Sequence, residues 1–234
     1  MQLAHDNAKL VLVTGANRGI GFCIVKELLS LNYEVIAISK STQNLEPLSL
    51  KYKQVLHIFK VDLQSDVEIV DLFHRMNNLR LKPDILINNA GIGKFSMVDH
   101  LSWSEWSNVL HLNLSVPFYF INKLLPHMKS QNYGKIINIG SNADSIPEAL
   151  GSAYCASKYG LLALAQCTRL EVKNYNISLI TISPGRVDTY FNSKHPGCRP
   201  NSLQPEDVAK LVTQVLELPD RCSIEQIRVA SIFE

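Results

Sequence analysis

The chain has almost no surplus of charge: 23 Lys and Arg oppose 21 Asp and Glu, a formal net charge of +2 over 234 residues, and charged residues make up only 19%. No run of Lys or Arg exceeds two residues, so neither nucleic acid nor an anionic membrane is an expected partner. No apolar run approaches a bilayer span. Ahead of Leu10 to Val13 the N-terminus has no apolar leader, so a soluble cytoplasmic protein is expected. The five cysteines (Cys23, Cys155, Cys167, Cys198, Cys222) are odd in number, widely spaced and free of any CxxC, which fits reduced thiols better than a disulfide framework. The seven histidines form no HxxxH or HExxH, so no metal site is expected. Repeats, low-complexity tracts and linkers are also missing. Residues 1–234 therefore read as one domain, and 46% hydrophobic residues suffice to build its core.

What is present is an alternation of short β-branched runs with longer segments of helical period, which predicts a doubly wound α/β domain, a parallel sheet with helices on both faces. Strands are expected near Leu10 to Val13, Glu34 to Ile38, Val55 to Val61, Ile85 to Asn88, Lys135 to Ile139, Ser178 to Ile182 and Gln226 to Val229. In the first helix Ile24, Leu28 and Leu31 recur at helical spacing and should face the sheet, while Lys26, Glu27 and Ser30 face water and Asn32 ends the helix. A late helix should start at Pro205, whose missing N–H costs nothing there. The segments Leu112 to Met128 and Tyr154 to Leu170 are apolar on more than one face. Each could be a deeply central helix, but two together favour a subunit interface in a homodimer or homotetramer. Trp103 and Trp106, three apart near a helix start, read as packing.

Two constellations carry chemistry. Thr14-Gly15-Ala16-Asn17-Arg18-Gly19-Ile20-Gly21 follows an apolar strand and opens a helix, where outward N–H groups and the helix dipole favour a diphosphate. Its spacing differs from GxGxxG, and an ordinary strand-turn-helix corner can look the same. Tyr154-Cys-Ala-Ser-Lys158 puts a phenol and an ammonium one helical turn apart. A surface tyrosine covering a lysine stem would look alike, but Ser141 lies 13 residues earlier at the carboxyl end of a strand, where open parallel sheets place ligands. A tyrosine near its ordinary pKa of about 10 exchanges protons near neutrality only if a cation such as Lys158 stabilises the phenolate. Asn113 has a separate local reading: Pro117, four residues on, has no N–H for the Asn113 carbonyl, which could then hold water or simply mark a kink.

On these residues the chain resembles the short-chain dehydrogenase/reductase family from Leu10 to about Ala209. The motifs fall in family order: Thr14 to Gly21, Asp62-Leu63, Asn88-Asn89-Ala90-Gly91, Asn113, Ser141, Tyr154 with Lys158, and Pro184-Gly185 followed by Thr189. The resemblance implies Tyr154 as catalytic acid/base and Lys158 as the group that lowers its pKa and binds the nicotinamide ribose. It also implies Ser141 as the residue orienting the substrate carbonyl and Asn113 as support for a water-linked proton relay. By the same resemblance Gly15, Asn17, Gly19, Ile20 and Gly21 hold the diphosphate. Asp62 accepts from the adenine amine, Asn89 to Gly91 line the adenosine ribose, Val187 and Thr189 contact the carboxamide, and Leu63, Pro184 and Gly185 belong to the same cofactor site.

The second strand ends in Ser39-Lys40, where an NAD-selective enzyme is expected to carry Asp or Glu. With Arg18 this predicts NADP(H), the two cations meeting the 2′-phosphate. The implied reaction is hydride transfer between NADP(H) and a small carbonyl or secondary alcohol, with a catalytically silent nucleotide-sensing scaffold or an NAD-dependent alcohol dehydrogenase as alternatives. Residues 190–203 stand where the family carries a mobile substrate lid. His195 and Arg199 within it could touch an acidic substrate, although solvated loop charges are the plainer expectation.

Overall fold

The computed structural model describes residues 9–233, so most of the stretch on which the absence of a leader was read lies outside the described residues. Seven parallel strands form one sheet in the order β3-β2-β1-β4-β5-β6-β7. They are β1 (Leu10–Thr14), β2 (Glu34–Ser39), β3 (Leu56–Lys60), β4 (Ile85–Asn88), β5 (Gly134–Ile139), β6 (Ile177–Pro184) and β7 (Gln226–Val229). All seven expected strands form, with ends displaced by at most two residues. The helices are α1 (Gly19–Ser30), α2 (Glu46–Lys51), α3 (Asp66–Asn78), α4 (Trp103–Leu110), α5 (Val116–Ser130), α6 (Ser152–Val172) and α7 (Pro205–Glu217).

Continuous apolar strands serve two cores because successive side chains point to opposite faces. Val11, Val13, Val35 and Ala37 pack with Ile24 and Leu28 of α1 and Val208 and Val212 of α7 on one side. Leu10, Leu12, Ile36 and Ile38 pack with Leu72 of α3, Phe120 and Leu124 of α5 and Val172 of α6 on the other.

Three local expectations need correction. Leu31 does not face the sheet: α1 ends at Ser30, Leu31 is its exposed C-cap, and Leu29 takes the buried position instead. Asn32 does end the helix, adopting φ 63°. Trp103 is not packed but 80% exposed at the first position of α4. The segment Leu112 to Met128 is not one regular helix. His111–Ser115 forms a π-helical turn, with the Val116 N–H reaching the His111 carbonyl, before α5 resumes. Pro117 explains the widening, since it offers no N–H to Asn113 and the ladder slips by one residue around it.

Among the described residues no helix is long and apolar enough to cross a membrane.

Candidate active site

The strand order reverses between β1 and β4, opening a crevice at the carboxyl ends of the strands, the usual ligand position in open α/β sheets. The glycine turn between β1 and α1 forms one wall. Gly15 adopts φ 66°, and a Cβ at Gly21 would stand 2.3 Å from the Gly15 carbonyl oxygen, so only glycine lets the turn close on the helix. No side chain caps the N-terminus of α1, and its first N–H groups are left for a ligand. An uncapped helix behind a turn this tight fits the diphosphate of a dinucleotide. The turn is fixed by hydrogen bonds between the two motifs, from Thr14 to the segment after β4. Thr14 Oγ1 accepts from the Asn89 and Ala90 N–H groups, each at 3.0 Å. Asn89 Nδ2 donates to the Thr14 carbonyl at 2.8 Å and the Gly15 carbonyl at 3.2 Å.

Asn17 and Asn89 therefore act first through the fold. Asn17 Oδ1 accepts from the Asn44 N–H at 3.0 Å and its carbonyl accepts from Asn44 Nδ2 at 2.9 Å, which spends the Asn17 side chain on the loop after β2. Leu63 is buried in the core on the α3 side. At the adenosine end Ser39 closes β2, as read from the sequence, but Lys40 and Asp62 pair with each other at 2.6 Å. The expectation that Lys40 meets a phosphate while Asp62 meets adenine thus meets a competing contact. The carboxylate raises the Lys40 pKa through that hydrogen bond and its own pKa is lowered in return. Arg18, extended at the N-cap of α1, has its guanidinium carbon 5.5 Å from the centre of the Tyr190 ring.

A cleft of about 710 Å³ brings Ser141, Tyr154 and Lys158 together with Ile20, Gly185 and Thr189. Gly91 also lines it and makes room for its neighbours: a Cβ there would lie 3.2 Å from Asn113 Oδ1 and 3.8 Å from Lys158 Nζ. In the same cleft Ser141 Oγ donates to Asn142 Oδ1 at 3.1 Å and accepts from the Ala143 N–H at 3.2 Å. Lys158 Nζ donates to the Ile139 carbonyl at 2.8 Å and lies 5.7 Å from the centre of the Tyr154 ring. Asn113 is buried and fully used. Its Oδ1 accepts from the Ile92 N–H at 2.9 Å, and its Nδ2 donates to the Ile92 carbonyl at 2.9 Å and to Ser157 Oγ at 3.0 Å.

Burial dominates both titrating groups, contrary to the expectation that Lys158 lowers the tyrosine. It pushes the Tyr154 phenol up to about 12, against a lowering contribution from Ser141. It pulls the Lys158 ammonium down to about 8, against the opposing charge of Asp144. The Lys158 ammonium, still charged at neutral pH, donates to the Ile139 carbonyl rather than to the phenol, and burial decides the tyrosine.

The structure adds three residues that no sequence pattern marked. Phe95 and Phe191 flank Tyr154, with ring centres 5.7 and 5.4 Å from it. Asp144, buried in the turn after Ser141, accepts hydrogen bonds from Ser183 and Gln226. Arg199 is not a solvated loop charge, because it lines the cleft with its side chain 21% exposed, whereas His195 is exposed and edge-on to Tyr190. Among the described residues no cluster of His, Cys, Asp and Glu could hold a metal.

A family model described as short chain dehydrogenase matches residues 9–196. The chain belongs to the short-chain dehydrogenase/reductase family. The NADP-dependent 3-hydroxy acid dehydrogenase YdfG of Shigella flexneri is 28% identical over 96% of each chain. A serine dehydrogenase in its closed form, complexed with NADP+, superposes with a TM-score of 0.88 at 29% identity over 96% of each chain. A 4-hydroxyisoleucine dehydrogenase complexed with NADH gives 0.85 at 26% identity, over 94% of this chain and 96% of that one. This short-chain dehydrogenase/reductase thus shares its fold with relatives that use either nicotinamide nucleotide.

Proposed function

We propose that the protein is an NADP(H)-dependent oxidoreductase interconverting a small carbonyl compound and its secondary alcohol, with Tyr154 as the acid/base. The observation that carries this reading is the convergence of Ser141, Tyr154 and Lys158 on one cleft at the carboxyl ends of the strands. When bound, the nicotinamide cofactor supplies or accepts the hydride. Tyr154, protonated at neutral pH, gives its proton to the substrate oxygen, and Ser141 donates a hydrogen bond to that same oxygen as charge develops there. Lys158 holds the ribose, and Asn113 supports the proton relay behind it.

Gly15, Gly19, Ile20 and Gly21 hold the diphosphate. Ser39 in place of a carboxylate, together with the Arg18 cation, favours the 2′-phosphate. Asp62 already occupies Lys40, so Arg18 carries most of that preference. The NADP-dependent dehydrogenase and the NADP+ complex among the relatives support the same choice. The protein works as a soluble cytoplasmic dimer or tetramer in this reading.

The deciding variant is Tyr154→Phe, which removes one oxygen and keeps the ring. It should abolish NADPH-dependent reduction across a panel of ketones, quinones and thioester-linked 3-oxo acids while the fold and NADPH binding persist. Near-wild-type turnover by Tyr154→Phe would overturn the mechanism. Tight nucleotide binding with no carbonyl reduced by the wild type would favour a scaffold, and equal affinity for NADPH and NADH would overturn the cofactor choice.

A further inference from the structure

Apart from Lys158, the charged side chains walling the cleft are Arg186, Lys194 and Arg199, against the single carboxylate of Glu148. All three cations come from the segment after β6. That segment is drawn into a closed loop by Val187 pairing with Leu203, by the Asp188 N–H donating to the Leu203 carbonyl at 2.8 Å, and by the Leu203 N–H donating to the Arg186 carbonyl at 3.1 Å.

Arg199 holds a buried donor that is left unmet. Its Nε is buried without a hydrogen-bond partner, and its Nη2 reaches only the Thr189 carbonyl, at 3.5 Å. The neighbouring Asp188 carboxylate stands 4.0 Å from Nε, too far for a hydrogen bond. Its Oδ2 is taken by the Gly197 N–H at 2.6 Å, and its Oδ1 is also unpartnered. Asp188 therefore balances the guanidinium without using its fork of donors. A buried Nε–H left unmet, with Nη2 only weakly engaged beside it, is costly until a two-oxygen acceptor meets both.

The rest of the cleft limits what brings that acceptor. Phe95 and Phe191 converge so closely that a Cβ at Gly93 would sit 2.7 Å from an atom of each. Both rings also lie beside Tyr154, so the acceptor comes on a molecule with an apolar body next to its reacting carbonyl.

We infer that the substrate is a short oxo acid, or in the reverse direction the hydroxy acid, and that Arg199 receives its carboxylate through paired N–H···O bonds. This rests on the reading of the site given above. Hydride from NADPH and a proton from Tyr154 add across the C=O bond to give the alcohol, and the carboxylate is unchanged.

The test pairs 2-, 3- and 4-oxo acids of four to six carbons with their methyl esters, using purified protein and NADPH. The wild type should reduce at least one acid with kcat/KM about tenfold or more above its ester. Arg199→Gln should lower that value for the acid about tenfold more than for the ester, mainly through KM, and Arg199→Lys should fall between because it keeps the charge but loses the fork. Butyrate, which cannot be reduced, should compete with the ester in the wild type and about tenfold more weakly in Arg199→Gln. Esters reduced as well as acids, equal losses on both in Arg199→Gln, or a matching loss of NADPH affinity would overturn the assignment. If esters or neutral ketones are reduced and no acid is, the inference falls while the oxidoreductase reading stands. If no carbonyl compound is reduced, both fall.

Discussion

Replacing Gly21 by alanine sets two effects of opposite sign against each other. In an open helix the exchange stabilises by about 1 kcal/mol, because alanine loses less backbone entropy. At this position the new Cβ would lie 2.3 Å from the Gly15 carbonyl oxygen and 2.5 Å from Asn89 Nδ2. Neither neighbour is free to yield: one is backbone in a left-handed turn, and the other is held by the Thr14 carbonyl at 2.8 Å. Ordinary contact requires a displacement of about 1 Å, and overpacking of this kind costs typically about 1–3 kcal/mol. The collision therefore outweighs the helix gain. If the turn keeps its shape the cost appears as lost stability, about 2–4 °C in Tm for each kcal/mol in a domain of this size. If the turn relaxes open, the cost is met on binding, about 5- to 150-fold in the Kd for NADPH. Thermal unfolding and fluorescence titration with NADPH together recover the whole effect. Gly160→Ala is the control, since its Cβ would meet only the tip of the Leu114 side chain, at 2.8 Å, and that tip can turn away. Wild-type Tm and wild-type NADPH affinity in Gly21→Ala would refute the reasoning.

Reductive kcat/KM should fall on the alkaline side with an apparent pKa near 8, because Lys158 loses its proton there while Tyr154 keeps its own up to about 12. A profile flat to pH 10 would remove Lys158 from the mechanism. Because burial lowers Lys158 from 10.5 to about 8, the unfolded chain binds that proton more tightly and this group's contribution to stability rises with pH across that window. The outer faces of α5 and α6 expose Phe118 by 52% and Leu170 by 66%. A second copy covering them should register as a dimer or tetramer by light scattering at micromolar concentration, and Phe118→Asp should shift it towards monomer; a monomeric wild type would refute this.

The parts of the fold legible in the sequence are those set by local chemistry. β-branched runs fixed where strands lie, Asn32 and Pro205 marked helix ends, and the Pro117 donor gap foretold an irregularity at Asn113 that the structure resolves as a π turn. Leu31 was misread because periodicity does not say where a helix stops, and stopping one residue earlier puts that side chain into water. Ser141, Tyr154 and Lys158 could be found together because a motif and a strand end place them on adjoining elements. Phe95 and Phe191 were not legible as site residues, and Arg199 was only one of two readings of a loop charge, since each depends on how a loop folds back over the cleft. The pairing of Lys40 with Asp62 depends on β2 and β3 lying side by side, a relation that a residue's type does not encode.

Asp144 is the most consequential of the residues without a sequence signature. Its carboxylate is buried against Gly140, where a Cβ would stand 2.8 Å from Oδ2, and Gly140 lies between Ser141 and the Ile139 carbonyl that receives Lys158. Ser183 on β6 and Gln226 on β7 both donate to it, and Gln226 also donates to Ser183 Oγ at 3.0 Å. The turn that presents Ser141 is thus fastened to two strands at the far edge of the sheet rather than by its own residues alone. The same anion acts on the titrating pair: its field raises both Lys158 and Tyr154, opposing burial at the lysine and adding to it at the phenol. Both shifts favour the proton-bearing forms. A protonated phenol beside a charged ammonium is the state from which, in the proposed reaction, a carbonyl oxygen is given a proton; Asp144 fastens the turn that presents Ser141 and adds a lesser contribution towards that state, burial remaining the larger influence on each group.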